Sequence, residues 1–440
     1  MSFTEKISKK MLVLSSKITN QRHMNAIRNT FNSLLPIIIT GAICSLFSNV
    51  VCSTTTTGIS LAKVSGMAWL GKFTGIFEAG NYASMSFLTI GAVLLIAAEL
   101  GKSLKHEEFI APIISLSCYI TLCSSSVSTT IEGLADPVVI ANALSSTFTG
   151  ASGLFVGIIA AVLSMELYCK LIDSKKFIIK MPDSVPSNVS KSFSDLIPGV
   201  LSIIIFATFG FAFNSLFGMS FFDAITICIQ KPLAAAFTGL PGYLLMFAAV
   251  QILWCLGIHG AQVLMPIFQP ILLQAIATNL ELVNSGKQAT EILNYGFRQN
   301  FTMLGGCGVT LGLIFAVFIA SKRDDYKAIA KLSLLPGLFN INEPMIFGMP
   351  IVLNPILMIP FIVTPLVTSA FAYFMTAIGF CGVMTYTTPW TTPPLLIAYL
   401  GTGGDIGAVI TQLICIVIAT LIYLPFVIIA NKQVDGDNYE

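Results

Sequence analysis

The sequence predicts an all-α integral membrane protein with about ten transmembrane helices and two re-entrant hairpins. The first observation is composition, because 55% of the 440 residues are hydrophobic and only 10% are charged, with a mean hydropathy of +0.85. A soluble domain carries roughly 25% charged residues, so lipid is the solvent that suits this chain. The second observation is that charged side chains are missing from 29–62, 232–280 and 344–404. Each segment exceeds the roughly 20 apolar residues of one span, so we expect several spans, or spans with buried hairpins, in each.

The chain divides into four parts along the sequence. Residues 1–30 mix apolar and basic side chains in the pattern of an amphipathic cytoplasmic arm on the inner leaflet, with a flexible basic tail as the alternative. Residues 31–217 are expected to form an N-terminal bundle, 218–240 an amphipathic link, and 241–440 a C-terminal bundle. Apolar runs predict ten spans at 31–52, 81–100, 108–130, 150–172, 196–217, 242–258, 260–278, 303–320, 355–379 and 408–430.

Basic residues indicate how the chain lies in the membrane, because cytoplasmic loops carry the excess of lysine and arginine. Eighteen of the 23 basic residues fall in the arm, in the loops 101–107, 170–191 and 321–331, or at Lys432. We expect these regions on one side of the membrane. This orientation places both termini in the cytoplasm, which is consistent with an even number of spans.

The ten cysteines are scattered singly, and no Cys-x-x-Cys or Cys/His cluster occurs. Several of them, such as Cys255, lie within apolar segments. We therefore expect small buried hydrophobic side chains, with no metal and no cofactor. No nucleic-acid partner is expected either.

The first of four candidate functional segments is Trp254-Cys-Leu-Gly257-Ile-His259-Gly260. An ionisable residue at membrane depth is costly and marks function. The glycines allow the helix to break and the backbone to approach a ligand. Trp254, five residues upstream of His259, offers an aromatic face to a ring such as a sugar. The alternative is a buried histidine that is satisfied by its neighbours.

The second candidate segment runs from Pro336 to Pro350 and contains Asn340-Ile-Asn342-Glu343 between helix-breaking residues. Irregular backbone at membrane depth must be buried in protein or line a wet cavity, and a re-entrant hairpin meets that condition. Its tip would direct Asn342 and Glu343 at a polar substrate, because an amide and a carboxylate together match hydroxyl groups. The alternative is a surface loop with a structural Asn-Glu turn.

Two further segments are interrupted by polar residues. The third, Tyr386-Thr-Thr-Pro-Trp390-Thr-Thr-Pro-Pro394, predicts a second hairpin or an extended filter-like strand, with a periplasmic loop and interfacial tryptophan as the alternative. The fourth, from Asn300 to Gly308, has three glycines, so close helix packing competes with backbone contact to a substrate. Three acidic residues at span ends are expected to be capping or interfacial charges: Glu99, Glu166 and Asp405.

These segments resemble the membrane (C) component of bacterial phosphotransferase-system permeases of the lactose–cellobiose–diacetylchitobiose family. The segment Asn340-Ile-Asn342-Glu343-Pro344, continued by Pro350-Ile-Val-Leu-Asn354-Pro355, is similar to that family's signature. Gly257-Ile-His259-Gly260 and Trp390-Thr-Thr-Pro-Pro394 are similar to its companion motifs in order and spacing. The resemblance extends over essentially the whole chain, and the glutamate motif is its most specific part.

The resemblance implies a homodimer of ten-span protomers with two re-entrant hairpins. The N-terminal half would make the dimer contact and the C-terminal half would hold the sugar. The matching motifs imply a substrate-binding site of His259, Glu343, Asn342, Trp254 and Trp390. Arg298 and Thr302 match no motif and lie outside this predicted site.

The resemblance also implies a reaction. A disaccharide binds from outside, moves to the cytoplasmic face, and receives a phosphoryl group on its primary hydroxyl from a cytosolic partner that bears phosphocysteine. Glu343 would act as the catalytic base, and the membrane component would mainly position the sugar. The sequence contains no soluble domain with a phosphocysteine loop, so we expect the donor on a separate polypeptide, the B component.

Two other functions remain open from the residues alone. A proton-coupled secondary sugar transporter would use Glu343 or His259 as its proton site and release unmodified sugar. Such transporters usually have matching broken helices in two inverted halves, whereas both broken segments here lie in the C-terminal half. A non-transporting membrane scaffold or sensor gives no reason for a glutamate and a histidine at membrane depth.

Overall fold

The computed structural model is predominantly helical and describes residues 21–55, 60–106, 110–129, 137–179, 181–182, 185–349, 351–352 and 354–436. Most of the predicted amphipathic arm, 1–20, lies outside the described residues. The first helices are α1 (Arg22–Leu46), α2 (Thr74–Met85), α3 (Leu88–Leu104), α4 (Ile110–Thr121), α5 (Ser146–Thr149), α6 (Leu154–Asp173), α7 (Ser187–Phe217), α8 (Phe221–Ile225) and α9 (Lys231–Thr238). The later helices are α10 (Leu240–Cys255), α11 (Gly260–Asn284), α12 (Tyr295–Phe297), α13 (Thr310–Ala320), α14 (Asp324–Leu338), α15 (Glu343–Gly348), α16 (Pro355–Ala377), α17 (Leu396–Thr402) and α18 (Ile406–Gly436).

Tighter and wider turns extend several of these helices. The 3-10 turns are Leu61–Lys63, Ala68–Phe73, Ala151–Gly153 and Cys307–Val309. The π-helical turns are Phe47–Cys52, Thr226–Gln230 and Arg298–Thr302. A π-helical turn inside an α-helical run often occurs at a functional position, and Arg298–Thr302 lies next to the glycine-rich segment singled out above.

Helices long and apolar enough to cross a membrane confirm a multi-pass membrane protein. The described residues contain eight: Arg22–Cys52, Ala68–Leu104, Ala151–Asp173, Val189–Phe217, Gly260–Asn284, Tyr295–Ala320, Pro355–Ala377 and Ile406–Asn431. The pair Phe221–Thr238 and Leu240–Cys255, bent by 82°, adds a ninth if it crosses as one span. The predicted link 218–240 is therefore largely helical. The count of ten stays a prediction.

The expectation of an all-α protein with a span at 108–130 needs one correction. Helix α4 has 12 residues and ends at Thr121, and the chain then forms an antiparallel hairpin of β1 (Ser126–Thr129) and β2 (Val138–Ala141). Serine side chains compete for the backbone hydrogen bonds of a helix, and β-branched residues favour strands. The run Ser-Ser-Ser-Val-Ser-Thr after Cys123 therefore ends the helix despite its apolar start.

Two compact units divide the described chain. The N-terminal unit comprises 21–38 and 82–233, and the C-terminal unit comprises 39–81 and 234–436. This division differs from the predicted boundary at 217 by grouping 39–81 with the C-terminal residues. The predicted roles of the two halves remain predictions.

The N-terminal unit packs α3, α4, α6 and α7 together. Two of its glutamates form ion pairs: Glu166 contacts Arg22 at 2.7 Å and His23 at 2.8 Å, while Glu99 contacts Lys102 at 2.6 Å. The capping or interfacial role expected for Glu99 and Glu166 stays a prediction.

The C-terminal unit packs α13 and α16 against α18, and α10 against α16. Asp405 caps the start of α18, since its Oδ2 accepts a hydrogen bond from the backbone N–H of Ala408 at 2.8 Å. The same oxygen accepts from the N–H of Gly382 at 2.6 Å, which fixes the loop before α17. The capping role expected for Asp405 is thus confirmed.

Candidate functional site

His259 stands at the break between α10 and α11. Gly257 has a φ of +79°, and a Cβ on Gly260 would overlap the carbonyl oxygen of Val250, so the turn is tight. His259 is the N-cap of α11, because its Nδ1 accepts a hydrogen bond from the backbone N–H of Gln262 at 3.2 Å. A neutral imidazole that accepts at Nδ1 carries its proton on Nε2, so the second ring nitrogen is a donor.

Trp254 supports the imidazole from the preceding helix. The ring centres of Trp254 and His259 are 4.2 Å apart with a tilt of 46°, and the ring centre of Phe347 is 6.4 Å from Trp254. Trp254 is only 3% exposed. Its Nε1 lies beside the Cys307 thiol without a hydrogen bond of good geometry. The indole therefore braces His259, and direct stacking on a sugar remains a prediction.

Asn340 joins two loops that are distant in sequence. Its φ is +61°, a conformation that asparagine tolerates better than most residues. Its Oδ1 accepts from the backbone N–H of Gly305 at 2.8 Å, and its Nδ2 donates to the carbonyl oxygen of Trp390 at 2.6 Å. One side chain thus ties the glycine-rich segment to the Trp390 loop.

Asn342 is held by the same glycine-rich segment. It is 4% exposed, and its Nδ2 donates to the carbonyl oxygen of Cys307 at 2.6 Å. Gly306 has a φ of +97°, and a Cβ there would overlap the side chain of Asn342. The protein therefore uses one of the two N–H donors of the Asn342 amide, and among the described residues the amide oxygen has no hydrogen-bond partner.

The glycine-rich segment has a role that the sequence did not predict. Close helix packing and backbone contact to substrate were the two alternatives, whereas the segment binds both asparagines of the Asn340–Glu343 motif. The sequence signal for this role was the presence of a segment with three glycines together with two asparagines, Asn340 and Asn342, that are separated by a single residue. Thr302 is also structural, since its hydroxyl bridges Tyr243 at 2.6 Å and Ser369 at 2.8 Å.

Glu343 begins α15 and is exposed. Within the described residues, its carboxylate has no hydrogen-bond or ion-pair partner in the protein. Glu343 follows the anchored Asn342 directly, so a rigid backbone carries this carboxylate. An exposed carboxylate on a fixed support can accept hydrogen bonds from a ligand or take a proton from it.

Trp390 is 38% exposed and lies in the non-helical stretch between α16 and α17. The buried part of this stretch is fixed by Asn279 and Asn294, whose Nδ2 atoms donate to the carbonyl oxygen of Met384 at 3.0 and 2.9 Å. The Asn340 bond then fixes the backbone of Trp390 itself. Its indole remains open enough for a ring to stack on it.

A series of contacts connects the five predicted site residues. Trp254 contacts His259 and approaches Phe347 on α15, the helix that Glu343 begins. Asn342 binds the glycine-rich segment, which Asn340 joins to Trp390. Among the residues that the structure describes, no three His, Cys, Asp or Glu side chains are grouped as metal ligands would be.

Comparisons with known proteins show the family to which the chain belongs. The family described as phosphotransferase system, EIIC, matches residues 28–365. The chain is 31% identical over 430 residues to the lichenan permease IIC component of Bacillus subtilis (strain 168), covering 97% of this chain and 93% of that protein. It is 32% identical over 436 residues to the cellobiose-specific EIIC component of Geobacillus stearothermophilus, covering 98% and 95%.

A solved structure shows the same likeness over nearly the full length. The crystal structure of the transporter ChbC, the IIC component from the N,N'-diacetylchitobiose-specific phosphotransferase system, matches with a TM-score of 0.89 and 31% identity, covering 99% of each chain. The chain therefore belongs to the EIIC family of the phosphotransferase system, the multi-pass sugar permeases that work with a B component.

Proposed function

We propose that this permease carries a β-linked disaccharide of the cellobiose, diacetylchitobiose or lactose type inward and presents its primary hydroxyl to the phosphocysteine of the B component. The observation that carries the proposal is the exposed carboxylate of Glu343, which has no partner among the described residues, on a segment anchored by Asn340 and Asn342. The named specificities of relatives for lichenan, cellobiose and diacetylchitobiose support this substrate class.

Each predicted site residue receives a role that suits its contacts. Glu343 accepts the proton of the sugar's primary hydroxyl as general base. His259 donates from Nε2 to a sugar oxygen, because Nδ1 already accepts from α11. Trp390 stacks on the sugar ring, while Trp254 lines the site and holds the imidazole. Asn342 accepts a hydrogen bond from a sugar hydroxyl with its amide oxygen, since its Nδ2 already donates to Cys307.

Phosphoryl transfer suits a membrane component that positions its substrate. The transferred group passes between an attacking and a leaving atom that lie roughly in line, so alignment and charge stabilisation supply most of the catalysis. Hydrogen bonds from His259, Asn342 and Glu343 would orient the disaccharide while the donor approaches from the cytoplasm. Proton-coupled secondary transport, the alternative considered for this sequence, finds no support in the comparisons.

The proposal includes the finer architecture. We propose ten spans, with α4 and the bent pair α8–α10 completing the count, and two re-entrant hairpins at 336–350 and 386–394. The support is the six-residue helix α15 between irregular segments, and the buried, non-helical Met384–Thr388. Cysteine substitutions along both segments, labelled from each side of the membrane, test whether the hairpins enter and leave on one side.

Orientation and assembly also belong to the proposal. Both termini face the cytoplasm, residues 31–217 contribute the contact of a homodimer, and 241–440 form the sugar-binding domain. The support is the loop distribution of basic residues and the exposed apolar side chains of α7, including Phe211 at 75% and Leu216 at 78%. Such a face is also compatible with contact to lipid alone. Light scattering of the purified protein in detergent therefore tests whether it forms a dimer.

The deciding experiment is uptake of radiolabelled cellobiose, diacetylchitobiose and lactose by cells that express this chain with and without the B component. We expect intracellular sugar phosphate from one of these sugars only when the B component is present. Accumulation of unmodified sugar without the B component would contradict phosphorylation-coupled transport. Uptake of none of the three would contradict the proposed substrate class.

A further inference from the structure

Arg298 is a cation inside a candidate membrane span, and aromatic rings surround it. It begins the π-helical turn Arg298–Thr302 of the span Tyr295–Ala320. Its guanidinium carbon lies 5.0 Å from the ring centre of Phe268, 5.9 Å from that of Phe247 and 5.8 Å from that of Tyr295. Cation–π contacts of this kind hold a guanidinium in place without neutralising it.

No carboxylate of the described residues forms an ion pair with Arg298. Its Nε is buried and has no hydrogen-bond partner within the described part of the chain. Two other arginines contrast with it, since Arg22 contacts Glu166 at 2.7 Å and Arg323 contacts Asp325 at 2.6 Å. A cation without a counter-charge in a membrane segment is expensive and indicates that a ligand supplies the anion.

Gln251 is a second unpaired polar group on the adjoining helix. It is fully buried, and neither its Nε2 nor its Oε1 has a partner among the described residues. Phe247, Gln251 and Trp254 follow one another at helical spacings of four and three residues, so they share one face of α10. Phe247 contacts Arg298 and Trp254 contacts His259, which places the Gln251 amide on the face between them. A buried amide without partners indicates a missing ligand.

The Cys307 thiol lies within electrostatic range of both Arg298 and Glu343. Cys307 also supplies the carbonyl oxygen that anchors Asn342, the residue before Glu343. The proposed base and the Arg298 cation therefore both act electrostatically on Cys307.

We propose that Arg298, assisted by the Gln251 amide, binds the phosphoryl group while it is transferred to the sugar. The inference rests on the proposed function, in which this group is the anion that enters the site. The S–P bond of the donor phosphocysteine breaks, the bond from the sugar oxygen to phosphorus forms, the hydroxyl proton passes to Glu343, and the donor leaves as a thiolate. A planar guanidinium matches phosphoryl oxygens and stabilises their charge.

The first test compares two ligands of the purified full-length protein, cellobiose and 6'-phosphocellobiose, by titration calorimetry. Arg298→Gln should weaken binding of the phosphorylated sugar by about 10- to 100-fold, since hydrogen bonds to charged groups are strong, and leave cellobiose affinity within about twofold. Arg298→Lys keeps the positive charge but lacks the planar guanidinium. Its affinity for the phosphorylated sugar should therefore lie between those of the wild type and of Arg298→Gln. Gln251→Leu should show a smaller loss in the same direction. Arg323→Gln is the control, because Arg323 already forms an ion pair with Asp325. This change should leave the affinity for both ligands unchanged.

The second test is single-turnover transfer from the phosphorylated B component to cellobiose. Arg298→Gln should slow transfer by on the order of 1000-fold, the range of arginines that stabilise a transferring phosphoryl group. Equal losses of affinity for both ligands would overturn the inference and make Arg298 a ligand of sugar hydroxyls. Unchanged transfer would make it structural. If the wild-type protein binds neither ligand, the proposed substrate class fails and the inference fails with it. Arg298→Lys decides the matter if Arg298→Gln does not fold.

Discussion

Two glutamates of the N-terminal unit differ from Glu343 and Arg298 of the C-terminal unit in whether they form ion pairs. In the N-terminal unit, Glu166 pairs with Arg22 and His23, and Glu99 pairs with Lys102. In the C-terminal unit, the described residues give neither Glu343 nor Arg298 an ion-pair partner. A charge in an ion pair is already stabilised by the protein. A charge without an ion-pair partner near the membrane interior can instead be stabilised by a ligand of opposite charge or by a hydrogen-bonding ligand. We infer that the N-terminal pairs serve the fold and that the unpaired charges serve the substrate.

The largest effect should come from Glu343→Gln. The change keeps the shape of the side chain and removes the base, so we expect uptake and sugar phosphorylation to fall by at least about 100-fold. The thermal unfolding midpoint in detergent should stay the same, because the described protein makes no hydrogen bond or ion pair to this carboxylate. Glu166→Gln is the matched control, which should lower that midpoint slightly and leave uptake intact. Normal uptake by Glu343→Gln would contradict the inference that the charges without ion-pair partners serve the substrate.

A smaller effect is expected at His259, where two substitutions separate binding from helix capping. His259→Ala removes the imidazole and the N-cap acceptor, whereas His259→Asn removes the imidazole and keeps an acceptor for the N–H of Gln262. Both should weaken cellobiose binding by about 1–3 kcal/mol, the effect of leaving polar groups of the complex unpaired. Only His259→Ala should also lower the unfolding midpoint. Calorimetry that shows unchanged affinity for both variants would make His259 a capping residue.

Asn340→Gly tests the hydrogen bonds that join the glycine-rich segment to the Trp390 loop. Glycine adopts the φ of +61° without strain, so the change removes the bonds to Gly305 and Trp390 and little else. We expect unfolding to become easier by about 1–2 kcal/mol, with weaker sugar binding as the Trp390 loop loosens. Asn142→Gly, at a φ of +56° in the N-terminal unit, is the control and should change neither. Equal stability of the two variants would show that the Asn340 bonds do not hold the loop.

The smallest effect is expected at Asp325. The Arg323 guanidinium donates to Asp325 and lowers the pKa of its carboxyl, so the pair stabilises the protein above the ordinary carboxyl range and is lost only as pH falls through the lowered value. Asp325→Asn should reduce the free energy of unfolding by less than about 1 kcal/mol, because the carboxylate is 55% exposed. The difference from wild type should be constant between pH 6 and 8. A change across that interval in thermal unfolding scans would contradict the assigned direction.

The membrane fold followed from apolar runs because a bilayer imposes a length on them. The helix of the span 355–379 ends within two residues of its predicted end, at Ala377. The predicted end of the span 108–130 was wrong, because hydropathy continues past Thr121 whereas the hydroxyl side chains after Cys123 favour a strand. Hydropathy measures transfer into lipid, and it does not register the competition for backbone hydrogen bonds that ended this helix.

The site was predictable to the extent that it is local. His259 and Glu343 interrupt apolar segments, and that interruption is visible in the sequence alone. The bonds from Asn340 to Gly305 and from Asn342 to Cys307 each join residues 35 positions apart, so no local pattern contains them. The aromatic surroundings of Arg298 come from three segments for the same reason. The sequence motifs identified the candidate site residues. The tertiary contacts showed which of their polar atoms are used by the protein itself.

The glycine-rich loop bears on the genetics of this permease. Every missense change of a glycine codon adds a Cβ, and at Gly306 any Cβ would overlap Asn342, as one at Gly308 would overlap Phe361. No single-step substitution at either codon is therefore mild. In a population that depends on this sugar, we expect synonymous variation at both codons and loss of growth from each amino-acid replacement. Selection on the Gly306 codon would then preserve the position of Asn342 and, through it, of the adjacent Glu343, more than 30 residues away.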